Sequence, residues 1–314
     1  MARSKAAILG ASGMLGSMLL DHLSRDPDLP LIATVRHARY AAQGQRLFPQ
    51  VEWRVFDAER NAGEDFAHAA ATAIAGAGWV LNAIGKTKPY THDGNPAEVE
   101  AAIRVNAQLP YLLAHAGAAS GARIIQIATD CVYSGREGGY RESAPHDPLD
   151  VYGKSKSLGE CLLPNVANLR CSIIGPEPGR HMFLLEWLRR QPPGARIKGF
   201  TNHAWNGVTT LQFARLCQGI MRENLALPRL LHIVPRDTIS KAGLLECLQR
   251  EYRRPDIRIE HAAVPTPLDR TLQTQQAALN EMLWRAAGYA GAPTVPGMVR
   301  EVAACEYRLE GVFA

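Results

Sequence analysis

Tyr152 and Lys156 stand four residues apart in the stretch Tyr-Gly-Lys-Ser-Lys. On a helix this spacing puts both side chains on one face. An ammonium close to a phenol stabilises phenolate and lowers a tyrosine pKa that is ordinarily ~10. We therefore predict an acid–base pair that exchanges a proton with a substrate oxygen near neutral pH, with the Thr129 hydroxyl holding the same oxygen.

This pair needs a strand and a helix to position it. The isoleucine-rich run from Arg123 to Thr129 predicts a buried parallel strand with the threonine at its carboxyl end. The pair itself is predicted to lie on a helix with Asp147 as its N-cap, which ends before Pro164. Because open α/β sheets bind ligands at the carboxyl ends of their strands, the three side chains are expected to meet there.

The composition favours a globular protein and argues against nucleic-acid-binding, membrane-spanning and metal-binding classes. A chain of 314 residues can form one large or two modest domains, and 46% hydrophobic residues is ordinary for a globular protein. The net charge of +5 is spread along the chain, which argues against nucleic acid and fits a small anionic ligand. We expect a cytoplasmic protein without a membrane segment, because the sequence has neither a signal peptide nor an apolar run of ~18 residues. The six scattered cysteines predict reduced thiols and no metal site.

A glycine-rich turn follows the first predicted strand, which spans Lys5 to Gly10. Its sequence is Gly-Ala-Ser-Gly-Met-Leu-Gly, ending at Gly16, and a helix follows through about Ser24. Glycines let the backbone approach a pyrophosphate, while the helix N-terminus supplies N–H donors and a partial positive charge. The position between first strand and first helix predicts a dinucleotide site.

The second predicted strand, from Pro30 to Arg36, ends in a cation, and His37 and Arg39 follow. An acid at this point would hold the 2′-hydroxyl of NAD, whereas a cation suits the 2′-phosphate of NADP. We therefore predict NADP(H) over NAD(H), although a solvated basic loop would carry the same residues.

Strand and helix alternate five times, which is typical of an α/β fold with a Rossmann-type doubly wound parallel sheet. We predict a dinucleotide-binding domain at residues 1–175 with a returning segment at about 205–235, and a discontinuous substrate domain at 176–204 and 236–314. Besides the tyrosine and lysine, the predicted cofactor contacts are Gly10, Ser12, Gly13, Met14, Leu15, Arg36, Asp57, Ala58, Asn82, Ala83, Ile84, Gly85, Asn106 and Ile173.

Several motifs together resemble the extended short-chain dehydrogenase/reductases, and most closely the dTDP-4-dehydrorhamnose reductase group of sugar-nucleotide-binding proteins. The similarity runs over nearly the whole chain. The motifs are Gly10 to Gly16, Ala128 to Tyr133, Tyr152 to Lys156, Leu169 to Gly175, Lys198 to Thr210 and Leu268 to Leu272.

The resemblance implies a catalytic triad of Thr129, Tyr152 and Lys156. A reduced nicotinamide would give hydride to the 4-keto carbon of a nucleotide-activated 6-deoxy-hexose, in deoxysugar and cell-surface polysaccharide biosynthesis. The tyrosine would protonate the oxygen, the lysine would hold the ribose and lower the tyrosine pKa, and the threonine would orient the carbonyl. Candidate substrate contacts are Lys86, Asp130, Cys131, His181, Asn202 and Trp205, and candidate diphosphate contacts are Lys198, Arg215, Arg236 and Arg270.

Alternatives remain within the same resemblance. Cys131 stands where a 4,6-dehydratase carries a glutamate, which argues against dehydration. Cys131 and His181 resemble the acid–base pair of GDP-fucose-synthesising epimerase/reductases, or else they are a small hydrophobe and a helix-start residue. A four-epimerase would use the same triad, and a regulatory subunit like the β subunit of methionine adenosyltransferase would bind without turnover. The base, the sugar and the oligomeric state stay open, with a homodimer as one option.

Overall fold

A seven-stranded parallel sheet forms the centre of the protein, with strand order β3-β2-β1-β4-β5-β6-β11. The computed structural model describes residues 4–60, 63–179 and 181–313. This sheet confirms the predicted doubly wound α/β class, and β11 is the strand predicted to return to it. The strands are β1 Ala6–Leu9, β2 Leu31–Val35, β3 Glu52–Val55, β4 Trp79–Asn82, β5 Arg123–Thr129, β6 Val166–Cys171, β7 Ile173–Ile174, β8 Arg196–Phe200, β9 His203–Trp205, β10 Val208–Thr209, β11 Leu230–His232, β12 Ile239–Ser240, β13 Arg258–Ala262 and β14 Leu268–Asp269.

Helices cover both faces of this sheet. Successive side chains of a strand point to opposite faces, so Ile8 joins one apolar core and Leu9 the other. On the first face α1 packs against α8, and on the second α3 packs against α5. The helices are α1 Met14–Leu23, α2 Ala38–Leu47, α3 Gly63–Ile74, α4 Pro96–Ala102, α5 Leu109–Ser120, α6 Val151–Leu158, α7 Leu184–Arg189, α8 Thr210–Arg222, α9 Lys241–Glu251, α10 Ala277–Ala286 and α11 Val295–Ala304.

The helix that carries Tyr152 begins later than predicted. Its N-cap is Asp150, whose Oδ1 accepts the N–H of Gly153 at 2.8 Å. Asp147, the predicted cap, instead accepts the N–H of Ser134 at 2.7 Å and closes the loop after β5. The helix also ends at Leu158, well before the predicted stop at Pro164.

Two other predicted elements are divided or shortened. The apolar stretch from Ala167 to Gly175 predicts a single sixth strand, but it divides at Ser172, because β6 stays in the large sheet while β7 pairs with β10. The helix predicted from His181 starts only at Leu184, since His181 has a φ of 55°, outside the helical region. Smaller sheets pair β8 with β13 and place β9 between β12 and β14. None of the helices in the described ranges combines the length and apolar character that crossing a membrane requires.

A buried arginine joins the chain segment that follows α6 to the large sheet. Arg170, on β6, is fully buried, and its Nε and Nη2 donate to the carboxylate oxygens of Glu160 at 2.9 and 2.5 Å. Its Nη1 donates to the Tyr133 hydroxyl at 2.5 Å and to Nε2 of His232 at 2.6 Å, and its Nη2 reaches Nε2 of His146 at 2.8 Å. This network connects β6, β11, the end of α6 and the loop that follows Thr129.

His232 is expected to make the protein less stable in mild acid. Burial and the Arg170 guanidinium lower its pKa from 6.5 to about 4. Between these two values the unfolded chain binds a proton that the folded chain does not, so the free energy of unfolding falls as pH falls through this window. The measurement is the loss of unfolding free energy between about pH 7 and about pH 5, determined by urea unfolding. We expect this loss to be smaller in His232→Asn than in the unaltered protein, by on the order of 1 kcal/mol. Equal losses in the two proteins would contradict this assignment.

Candidate active site

A cleft of about 730 Å³ opens along the carboxyl edge of the large sheet. Its walls come from the loops after β1, β2, β3, β4 and β5, from α6, and from β9 and the start of α9. Ligand sites of this size are typical of small-molecule and cofactor binding, and the carboxyl edge is where open α/β sheets bind ligands.

Thr129, Tyr152 and Lys156 line this same cleft, so the structure brings the three predicted catalytic side chains together. Thr129 is the last residue of β5, and the other two lie one turn apart on α6. Lys156 is only 6% exposed, and its Nζ donates to the Ile127 carbonyl at 2.7 Å. The lysine is thereby anchored to the strand that ends in Thr129.

The predicted lowering of the Tyr152 pKa is wrong for this structure. The pKa of Tyr152 is raised above its ordinary range, chiefly because burial disfavours phenolate, while the nearby Thr129 hydroxyl acts in the opposite direction. Burial also lowers the pKa of Lys156 to about 8. Tyr152 therefore keeps its proton at neutral pH, which suits a proton donor.

The predicted glycine turn after β1 lies on the wall of the cleft. Gly10, Ser12, Gly13, Met14 and Leu15 all line the cleft. Gly10 has a φ of 79°, and a Cβ there would lie 2.9 Å from Cγ1 of Ile84. Within the described residues no side chain caps the start of α1, so its first N–H groups can meet a pyrophosphate.

Other predicted cofactor contacts divide into lining and supporting residues. Ala83, Ile84, Gly85, Arg36, Ala58 and Ile173 line the cleft. Asn82 and Asn106 stand behind this wall. Asn82 Oδ1 accepts the N–H of Ile84 at 3.1 Å, and Asn106 binds both backbone groups of Lys86 at 2.8 and 2.9 Å and Ser155 at 3.0 Å. Asp57 Oδ1 accepts the N–H of Glu59 at 3.0 Å, so it shapes the adjoining turn.

Four of the predicted substrate contacts, Lys86, Asp130, Cys131 and Trp205, line the cleft. Among the described lining residues neither His181 nor Asn202 appears. Asn202 instead holds both backbone groups of Val264, at 2.8 and 3.0 Å. Trp205 Nε1 donates to Ser172 Oγ at 2.9 Å, which fixes its ring in the wall.

Cys131 and His181 are not brought together on the cleft wall. Burial and the adjacent Asp130 raise the pKa of the Cys131 thiol to about 12, so the thiol stays protonated. His181 Nδ1 lies 3.4 Å from Oε2 of Glu186, and His181 is not among the described residues that line the cleft. This arrangement gives an acid–base pair on these two residues no support.

A group of cations on the wall beside Asp130 was only partly predicted. Arg270, predicted as a diphosphate contact, donates from Nε to the Tyr133 carbonyl at 2.8 Å. Lys241 was missed, although it is the first residue of α9, where the helix dipole disfavours a cation. Burial lowers its pKa, and Asp130 acts against that shift. The other predicted diphosphate contacts lie elsewhere, since Lys198 and Arg236 are exposed and Arg215 pairs with Glu301.

A metal ion would need several ligating side chains close together, and the described part of the chain is residues 4–60, 63–179 and 181–313. No group of three or more His, Cys, Asp or Glu side chains there could hold a metal ion. The distinctive features of the cleft are the glycine turn, the side chains of Thr129, Tyr152 and Lys156, and the cations beside Asp130.

The chain is similar to known proteins over most of its length. The family described as the RmlD substrate binding domain matches residues 4–294. The dTDP-4-dehydrorhamnose reductase of Aggregatibacter actinomycetemcomitans is 39% identical over 84 residues, which is 26% of this chain and 29% of that protein. Such alignments cover only about a quarter of the length of the curated relatives.

Two solved structures share the fold. One is the dTDP-4-dehydrorhamnose reductase of Bacillus anthracis in complex with NADP, with a TM-score of 0.71 at 17% identity, covering 96% of this chain and 98% of that one. The other is the UDP-glucuronic acid 4-epimerase of Bacillus cereus in complex with NAD, with a TM-score of 0.69 at 14% identity, covering 99% and 100%. Because the family match spans nearly all of the sequence, the chain belongs to the RmlD substrate-binding-domain family.

Proposed function

We propose that the protein reduces the 4-keto group of a nucleotide-activated 6-deoxy-hexose with NADPH, as a dTDP-4-dehydrorhamnose reductase does. The observation that carries this proposal is the position of Tyr152, which lines the cleft together with Thr129 and the buried Lys156. Membership of the family supports the sugar-nucleotide class of substrate.

Each part of the cleft has a separate proposed role in binding or proton transfer. The turn from Gly10 to Leu15 would hold the pyrophosphate, and Lys156 would hold the nicotinamide ribose. When bound, the reduced nicotinamide supplies the hydride that the ketone carbon receives. Tyr152 donates its proton to the ketone oxygen, and the Thr129 hydroxyl holds that oxygen in place.

Lys241 and Arg270 are proposed to hold the anionic part of the substrate. Both side chains line the cleft beside Asp130. Cationic side chains attract a diphosphate and form charge-assisted hydrogen bonds with it. The helix dipole disfavours a cation at this N-terminus, and an anionic substrate would add its favourable charge to that of the nearby Asp130.

The test is NADPH oxidation, followed by absorbance, with a panel of 4-keto-6-deoxy sugar nucleotides that carry thymidine or uridine. We expect one NADPH to be consumed for each sugar reduced, and product NMR to locate the new hydroxyl at C4. A changed stereocentre without net loss of NADPH would indicate an epimerase instead. Binding of cofactor and sugar without any reaction would favour a regulatory subunit and overturn the proposal.

A further inference from the structure

Glu59 holds two cations at one end of the cleft. Its Oε1 lies 3.4 Å from Nη1 of Arg36, and its Oε2 lies 3.0 Å from Nζ of Lys86. All three side chains line the cleft. One carboxylate therefore pairs with two positive groups, which follow the ends of two different strands.

The position of this cluster matches the place of the adenosine ribose. Arg36 directly follows β2 and stands 20 residues after Gly16. In a dinucleotide-binding sheet the residue at this point meets the ribose 2′-substituent. The turn after β3 brings Glu59 to the same point, so the 2′-group of a cofactor would meet a carboxylate as well as a guanidinium.

We propose that Glu59 limits the preference for NADP(H) over NAD(H) by pairing with the two cations that a 2′-phosphate would need. With NAD(H), the carboxylate can accept a hydrogen bond from the 2′-hydroxyl. With NADP(H), the phosphate must take Arg36 and Lys86 from Glu59 and then lie close to a second anion. This inference rests on the proposed cofactor site but does not depend on which sugar is reduced.

Replacing the side chain of Glu59 should preserve the backbone contacts that hold its turn. The Glu59 N–H is held by Asp57 Oδ1 at 3.0 Å, and its carbonyl accepts from Nη1 of Arg104 at 2.6 Å. Both contacts use the backbone. Glutamine at position 59 would keep the size of the side chain and remove only its charge.

The test compares affinities for NADPH and NADH by nicotinamide fluorescence titration of the purified chain. Competition by adenosine 2′,5′-bisphosphate and by 5′-AMP isolates the effect of the 2′-phosphate. We expect Glu59→Gln to raise the preference for NADPH over NADH about tenfold. Arg36→Gln should shift the preference the opposite way. Glu52→Gln is the matched control, because Glu52 pairs with Lys5 and Arg54 away from the cleft, and it should leave the ratio unchanged.

The possible results separate the two proposals. Binding of both dinucleotides with the same ratio in Glu59→Gln and the unaltered protein would overturn the role of Glu59 alone. Failure of the unaltered protein to bind either dinucleotide would overturn the proposed cofactor site, and with it this inference. If circular dichroism shows that Glu59→Gln does not fold, Glu59→Ser removes the same charge. An unchanged ratio of NADPH to NADH affinity in Glu59→Ser would also overturn the role of Glu59.

Discussion

Replacing Tyr152 with phenylalanine is expected to lower the turnover number about a thousandfold while NADPH affinity stays nearly unchanged. Phenylalanine keeps the ring in the cleft wall and removes only the hydroxyl, which is the proposed proton donor. The buried phenol keeps this proton at neutral pH, so its loss removes the proposed acid. Steady-state kinetics on the active keto-sugar and fluorescence titration of NADPH measure the two quantities.

A matched control for this change is Tyr111→Phe. Tyr111 lies on α5 with 38% of its surface exposed, and it is not among the described residues of the cleft wall. We expect its turnover to equal that of the unaltered protein. If Tyr152→Phe retained more than about a tenth of the turnover, the proposed proton donor would be wrong.

Replacing Arg170 with methionine is expected to lower the free energy of unfolding by about 3–5 kcal/mol. Methionine removes the guanidinium and leaves the Glu160 carboxylate, whose side chain is 7% exposed, without its charge partner. A buried carboxylate that has lost its partner is costly, and Tyr133, His146 and His232 lose a donor at the same time. Urea unfolding followed by circular dichroism measures this loss.

The double variant Arg170→Met with Glu160→Gln tests the cause of that loss. Because glutamine carries no charge, the double variant should be more stable than Arg170→Met alone. Arg250→Met is the control, because the Arg250 side chain is 58% exposed where it pairs with Glu251, and it should cost less than about 1 kcal/mol. A loss below about 1 kcal/mol in Arg170→Met would show that the network contributes little to stability.

The large sheet and the glycine turn could be predicted because both depend on local sequence. Short apolar runs specify buried parallel strands, and the spacing of Gly10, Gly13 and Gly16 places a tight turn before α1. The helical spacing of Tyr152 and Lys156 also predicted their common face. These features need no knowledge of distant contacts.

Features set by tertiary contacts were not predictable in the same way. Asp147 and Asp150 are equally good caps, and the N–H of Ser134 decides between them. The hydrogen bond to the Ile127 carbonyl fixes the position of the Lys156 amine, and burial lowers its pKa. Helical spacing predicts neither of these effects. Glu59 meets Arg36 and Lys86 only because the ends of β2, β3 and β4 lie along one edge of the sheet.

The end of the chain gives a similar example. Phe313 lines the cleft and packs edge-on against Tyr40, with ring centroids 5.6 Å apart, although it follows the region matched by the family. Arg308 anchors this segment through Asp21 on α1, with its Nε 2.6 Å from Oδ1. A contact between residues so far apart in sequence leaves no local pattern by which to predict it.

Transfer of deuterium from NADPH labelled at the nicotinamide C4 position tests the proposed reduction most directly. With the keto-sugar nucleotide that the protein consumes, mass spectrometry and NMR should find one deuterium on the carbon that carried the ketone. Tyr152→Phe should form this product far more slowly. If NADPH and sugar nucleotide both bind and no deuterium reaches the sugar, the protein is not the reductase proposed here.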